Sequence, residues 1–290
     1  MKLIFRIYIT STVFLKDLLN TLKSLIRVFL HSKFSLIINK IKVDEASSCF
    51  ILGNGPSLKI DLEKNINSIS QHDIFVVNDF FKSELYTIIK PKYYVLIDPF
   101  YWDEKTLNEN IVLIQKIASR TTWKMLLLIP NEAYKTNFYQ TYLSDHQYIS
   151  IVNFNSTFFN GFDFVKYWFY EKNLAMPITQ NVMIPTIFFA IQFGYGQINI
   201  LGSDHSWTQS LSVNSNNEVC LIDSHFYDNE EQKLIPWKKL NGEIYKMSEI
   251  LKDLARMFEG YDELRTYAEY KKINIFNYCK SSFIDAFERK

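Results

Sequence analysis

From Ser47 onward the chain alternates short apolar runs with helical stretches, and that alternation restricts its fold more than any other feature. Residues 49–52, 73–78, 93–98, 124–130, 148–154, 197–201 and 273–278 read as strands. Most of them are apolar throughout rather than alternating, which is the pattern of strands covered on both faces. Helices fit between several, notably over 182–193 and in a long polar stretch around 242–257. The expectation is an α/β, Rossmann-like domain over 46–290: an open, mostly parallel sheet with helices on both faces. Residues 208–239, with the polar run S-V-N-S-N-N-E-V, are too long for a tight connection and read as a lid insertion. With 48% hydrophobic and 22% charged residues the chain has the material for a sizeable core.

A net charge of +1 argues against a nucleic-acid partner. The charge is unevenly placed, however. Seven of the 32 basic groups and one of the 31 acidic ones fall in residues 1–40, which leaves the remainder acid-rich. Within that basic segment, assigned to 1–45, Leu18, Leu19, Leu22, Leu25, Ile26 and Phe29 recur at helical spacing. Lys16, Asn20, Lys23, Ser24, Arg27 and His31 take the opposite face. The longest uncharged run, Ile7 to Leu15, is nine residues, and a spanning helix needs about 20. Two readings follow: a helix in the headgroup region of an anionic, cytoplasm-facing leaflet, or one packed on the domain or another subunit. The three cysteines, Cys49, Cys220 and Cys279, show no paired or metal-ligand spacing and fit a reducing compartment.

In a parallel α/β sheet, ligands sit outside the carboxyl ends of the strands. Four strand ends here are polar: Gly53-Asn54-Gly55-Pro56-Ser57, Asn78-Asp79, Asp98-Pro99 and Gly202-Ser203-Asp204-His205. In the first, Gly53 and Gly55 permit positive φ and close approach of a ligand. Pro56 suits the first turn of a helix, and Ser57 sets a hydroxyl where exposed N–H groups favour an anion. The turn suits phosphate, yet it is neither a Walker A loop nor a dinucleotide fingerprint, so a purely structural β–α turn is the competing reading.

The run I-L-G-N-G-P-S-L, followed by D-I-F-V-V-N and Y-Y-V-L-I-D-P, resembles the bacterial sialyltransferases of the Campylobacter type. The segment from Pro177 through I-T-Q-N-V-M-I-P-T to L-G-S-D is similar to their T-S-G helix and G-x-D strand end, and I-N-I-F-N-Y-C-K-S-S-F-I-D-A-F to their final strand and helix. The opening motif is shared with a wider group that includes the MptE-like pterin pyrophosphokinases. The resemblance implies an inverting glycosyltransferase that needs no metal or other cofactor. It would move a sialic acid, a related nonulosonic acid or Kdo from a CMP-sugar to a glycan or lipid-linked acceptor, in bacterial surface-polysaccharide assembly. Asn54 and Ser57 would then meet phosphate or ribose, and Asn78 the nucleotide or sugar. Thr179, Gln180 and Asn181 would stand in the place of T-S-G, and Gly202 and Asp204 near the nucleoside. Absence of any D-x-D agrees with the metal-free chemistry. The chain departs from the family where Pro177 replaces an arginine, and where Ser206 and Trp207 stand in place of paired tyrosines.

Inverting transfer needs a base, and histidine suits that role at neutral pH. Of five histidines, His205 and His225 fall at the expected active edge, His225 by resemblance and His205 beside a strand-end aspartate. Asp98 can accept a sugar hydroxyl or simply start a turn. A metal held by Asp204, His205, Asp223 and His225 lacks a recognisable ligand spacing. The readings from other classes are a diphosphate-transferring kinase using ATP and Mg²⁺ and a non-catalytic scaffold of the same fold.

Overall fold

The computed structural model describes residues 2–34, 37–221, 226, 234–239 and 242–290, without the side chains of residues 2–10, 63 and 64. The chain runs α1 (Lys2–His31), β1 (Ser48–Leu52), α2 (Leu58–Ile69), β2 (Asp73–Val77), α3 (Leu85–Ile89), β3 (Tyr93–Val95), α4 (Leu107–Arg120), β4 (Met125–Pro130), α5 (Asn131–Lys135), α6 (Phe138–Leu143) and β5 (Ile149–Phe154). It continues through α7 (Asp163–Glu171), α8 (Met183–Phe193), β6 (Gln197–Leu201), α9 (Trp207–Ser210), β7 (Ser212–Val213), β8 (Val219–Leu221), β9 (Ile235–Pro236), α10 (Met247–Tyr270), β10 (Asn274–Asn277) and β11 (Glu288–Arg289). Eight strands form one parallel sheet in the order β11-β10-β6-β1-β2-β3-β4-β5. This is the Rossmann-like α/β fold the apolar strands imply.

Alternate side chains of each central strand enter two separate cores, which is why the strands are apolar throughout. Ile51, Phe75, Val77, Tyr93 and Val95 face α8 and α10, whereas Leu52, Ile74, Val76, Tyr94 and Leu96 face α2, α3 and α4. All eleven residues of α8 are buried, because the sheet covers one side of it and α10 the other. A helix hydrophobic all round belongs in such a place.

Two expectations are corrected. The third strand is a three-residue ladder, because beyond Leu96 the chain bends into the Asp98 turn. The long polar helix starts at Met247 and runs thirteen residues past the expected end at 257. Its buried series Ile250, Leu254, Met257, Tyr261, Leu264 and Ala268 keeps helical spacing throughout. The insertion over 208–239 carries structure of its own, since β7, β8 and β9 make a small antiparallel sheet around the buried Val219, Cys220 and Leu221.

No described helix is long and apolar enough to cross a membrane. Helix α1 is attached to the domain, and the face it uses is the polar one. Ser24 Oγ donates to the Asn160 carbonyl and accepts from Asn160 N, both at 2.9 Å. Thr21 Oγ1 accepts from Phe162 N at 3.0 Å, and Arg27 donates to the Phe158 carbonyl at 3.0 Å with its guanidinium over the Phe158 ring. The helix is docked through hydroxyls and an arginine, and its leucines face outward.

Replacing Ile187 by alanine empties a site walled by the sheet and α10. The expected cost is about 2–5 kcal/mol, read as a lower urea midpoint at unchanged m-value.

Candidate functional site

Strand β1 has β2 on one side and β6 on the other, so the connections from the carboxyl edge diverge beside it. A reversal of this kind opens a crevice outside the strand ends. There a cavity of about 750 Å³ is lined by residues 53–56, 77–79, 97–99, 101, 179–183, 202–207, 209, 210 and 237. Of the residues singled out from the sequence, Gly53, Asn54, Gly55, Pro56, Asn78, Asp98, Thr179, Gln180, Asn181, Gly202, Ser203, Asp204 and His205 all line it. Ser57 does not, and His225, like Asp223, lies outside the described residues.

Ser57 is turned toward Asp204. The Asp204 Oδ2 accepts from Ser57 N at 3.2 Å and from Ser57 Oγ at 2.9 Å, at the start of α2. The other carboxylate oxygen accepts from Ser281 Oγ and, at 3.4 Å, from the Cys279 thiol. The anion that the exposed N–H groups of this helix favour is therefore the chain's own aspartate. The glycines also serve a different purpose from the one expected. Neither Gly53 nor Gly55 has positive φ. Gly53 N donates to Leu201 O at 2.9 Å and Gly55 N to Gly202 O at 2.8 Å, which presses the two loops together. A Cβ on Gly55 would stand 2.1 Å from Asp204 Oδ2, and one on Gly53 2.4 Å from Gly202 O.

Three fully buried side-chain oxygens on lining residues have no partner among the described residues. Asn54 Nδ2 donates to the Val77 carbonyl at 3.1 Å, which fixes the amide and leaves Oδ1 buried with no partner among the described residues. Asn78, held at φ 46° with its carbonyl taken by the Tyr94 hydroxyl, has a buried and unpartnered Oδ1 as well. Ser203 Oγ is a third such atom on a residue that is 1% exposed. A buried acceptor without a donor is costly, so these atoms ask for a ligand or water that donates hydrogen bonds. Three carboxylates line the cavity and no lysine or arginine does, among the described residues. Asp79 is paired with Lys82 and accepts from the Tyr101 hydroxyl at 3.1 Å, while Asp98 caps its own turn by accepting from Phe100 N at 2.9 Å. The described residues contain no cluster of His, Cys, Asp and Glu suited to a metal ion.

His205 stands at φ 51°, one residue past Asp204, and its ring contacts Trp207 at 4.8 Å between centroids. Its Nε2 lies 2.6 Å from the Tyr261 hydroxyl and 3.1 Å from Asn181 Nδ2. The Asn181 Oδ1 accepts from Met183 N and Ile184 N at the start of α8, so its Nδ2 must be the group facing the imidazole. Two donors thus converge on Nε2, and the ring is neutral with its proton on Nδ1. Burial lowers the His205 pKa to about 4, opposed in part by Asp204. A neutral ring of this tautomer donates from Nδ1; taking a proton at Nε2 would first require breaking the Tyr261 contact.

Tyr261, Cys279 and Ser281 were not singled out from the sequence. The tail residues follow β10, the sheet neighbour of β6, so the strand-end rule applied once more would have found C-K-S-S. Tyr261 carries no such signal, because it belongs to the apolar stripe of α10 and only its hydroxyl reaches the site. From the insertion, Trp237 lines the cavity and Phe226 N donates to Asn54 O at 3.1 Å, with the Phe226 ring on Phe80.

No protein-family model matches the chain, and no curated protein does. Among solved structures, the MAf glycosyltransferase from Magnetospirillum magneticum AMB-1 aligns over 90% of this chain and 34% of its own, at 13% identity and a TM-score of 0.49. The chain thus spans about a third of the length of that protein. A mammalian sialyltransferase in complex with Gal-beta-1-3GalNAc-ortho-nitrophenol aligns over 88% of this chain and 78% of its own, at 11% identity and a TM-score of 0.37.

Two variants probe this geometry. Asp204→Ala removes the shared acceptor of Ser57 N, Ser57 Oγ, Ser281 Oγ and Cys279 Sγ, and it should cost about 2–3 kcal/mol in chemical denaturation. For His205 the folded pKa lies below the ordinary 6.5, so the unfolded chain takes up the proton first as pH falls. Stability present above pH 6.5 is therefore lost between about 6.5 and 4, by up to about 3 kcal/mol. His205→Gln removes that component, and its melting temperature should fall less than the wild type's over the same window.

Proposed function

We propose that the chain is an inverting glycosyltransferase whose donor is a sugar linked to a nucleoside monophosphate, with a CMP-sugar the best fit, and whose acceptor is a glycan or lipid-linked glycan. The observation that carries this reading is the cavity's polarity: buried, unpartnered acceptor oxygens on Asn54 and Asn78, the Ser203 hydroxyl, and no cationic side chain among the described lining residues. Acceptors of this kind suit the hydroxyls and exocyclic amine of a ribose, a sugar or cytosine. A diphosphate or triphosphate brings several negative charges that lysine, arginine or a cation ordinarily meets. A single phosphodiester brings one. The cavity volume lies within the range of small-molecule sites, and Trp207 and Trp237 offer flat faces for a base or sugar.

In this reading the acceptor hydroxyl attacks the anomeric carbon, the bond from that carbon to the phosphate oxygen breaks, and CMP leaves. The acceptor's proton passes to a base, for which His225 is the candidate carried by the resemblance. His205, neutral and protonated on Nδ1, takes the part of a donor to the departing phosphate. Asn181 and Tyr261 hold its ring, and Thr179 and Gln180 stand at the rim. Residues 46–290 make up the transferase domain and 208–239 the lid that excludes water, and the work is placed on the cytoplasmic side, in surface-polysaccharide assembly.

Melting temperature is measured with CMP, UDP, GDP and ATP, each with and without Mg²⁺. At ~100 times its dissociation constant a ligand adds about 2.7 kcal/mol. The expected result is a shift with CMP that Mg²⁺ leaves unchanged and that Asn54→Ala and Asn78→Ala abolish. A shift only with Mg²⁺ and ATP would replace this reading by diphosphate transfer, and no shift with any nucleotide would replace it by a non-catalytic role.

A further inference from the structure

A surface helix ordinarily buries its apolar stripe and leaves its polar face in water. Helix α1 does the reverse. Its attachment to the body uses Thr21, Ser24, Arg27 and Val28, with Ser32 Oγ adding a bond to the Leu174 carbonyl at 2.6 Å and Lys33 N one to Asn155 Oδ1 at 2.8 Å. This attachment is specific: Gly161, at φ 132°, gives Thr21 the room its hydroxyl needs, since a Cβ there would stand 2.1 Å from Thr21 Oγ1. Leu15, Leu18, Leu22, Ile26, Phe29 and Leu30 are left between 37% and 78% exposed. At 3.6 residues per turn they occupy an arc of roughly 120° on the side away from the body.

The borders of the stripe say what covers it. Along one edge lie the exposed Lys16 and Lys23. Beyond the other edge Phe14 packs on Phe162, and Phe162 stacks on Phe164 of α7, where Phe164 and Trp168 are 76% and 52% exposed. Apolar stripe, lysine edge and exposed aromatic flank are the parts of a helix that lies in a membrane interface. The local charge, seven basic groups against one acidic in residues 1–40, complements an anionic surface. A second copy would set that basic excess against an identical one.

We infer that α1 binds the surface of an anionic phospholipid bilayer, lying parallel to it. Its leucines, Ile26 and Phe29 enter the acyl boundary, Lys16 and Lys23 sit among the phosphates, and Phe164 and Trp168 lie alongside. The inference stands apart from the transferase reading, because it rests on α1 and α7 alone and its test does not read activity.

The full chain is mixed with vesicles of phosphatidylcholine alone or with about a third phosphatidylglycerol, and bound protein is separated by flotation. Wild type is expected to float with the anionic vesicles, less with neutral ones and less in high salt. Leu22→Glu combined with Ile26→Glu alters only outward-facing positions. It should raise the lipid needed for half-binding at least 10-fold with unchanged circular dichroism and melting temperature. Lys16→Glu combined with Lys23→Glu should raise it about 10-fold for anionic vesicles while leaving the weak neutral binding alone. Wild type that stays unbound with anionic vesicles, or binding that ignores both double substitutions, overturns the inference. If such unbound protein is a dimer that the Leu22/Ile26 variant splits, a second copy is the occupant.

Discussion

One carboxylate holds the centre of this molecule. Asp204, at the end of β6, closes the N-terminus of α2 through Ser57 and takes two further donors from the tail after β10. The ends of β1, β6 and β10 meet on it, at the point where the strand order reverses. A crevice there would otherwise separate loops whose backbones come within hydrogen-bond distance, Gly55 N to Gly202 O at 2.8 Å. Gly53 and Gly55 are needed because the loops are so close, not because of an unusual φ. An aspartate with four donors is also fixed in place, so it sets the position of His205, the next residue.

The same interaction changes what the glycine turn can do. A helix start with an empty anion site would invite phosphate; this one is already satisfied from within. What the turn leaves unsatisfied is on Asn54, whose amide is clamped by the Val77 carbonyl with its oxygen buried and unpartnered among the described residues. Asn78 repeats the arrangement on the next strand, in the left-handed conformation that asparagine tolerates better than most residues. Two strand ends thus present acceptors where the turn sequence alone suggested donors.

Much of this was legible in the sequence and some was not. Strand positions were readable because two-sided burial makes the strands continuously apolar; the strand-end rule then found residues 53–56, 78, 98 and 202–205 of the lining, and the resemblance supplied Thr179, Gln180 and Asn181. The partner of Ser57 was not readable, because it lies 147 residues away and a motif says nothing of which anion fills it. Tyr261 was hidden for a different reason: an apolar stripe signals burial, and its hydroxyl is the exception within that stripe. The face by which α1 docks was not readable either. Its periodicity is correct as a helix, but periodicity gives no preference between solvent, lipid and core, and the decision came from hydroxyls of Thr21 and Ser24 finding the backbone of residues 160 and 162.

The electrostatics of the cavity follow from how its charges are spent. Asp79 is paired with Lys82, Asp98 accepts the Phe100 N–H on one oxygen, and Asp204 holds four donors, so each of the three carboxylates has a partner within the chain. His205 adds no charge either, since burial keeps it neutral and two donors occupy its Nε2. On the proposed reading, recognition comes chiefly from neutral hydrogen bonds, which are directional and demand a ligand whose donors match fixed acceptors. A hydroxyl-rich molecule meets that demand at many points, whereas a polyphosphate meets it at few. On the proposed reading, the charge of a single phosphate is small enough for neutral donors such as the His205 Nδ1–H to hold, and the arrangement of those donors, not a cationic cradle, would discriminate among nucleotides.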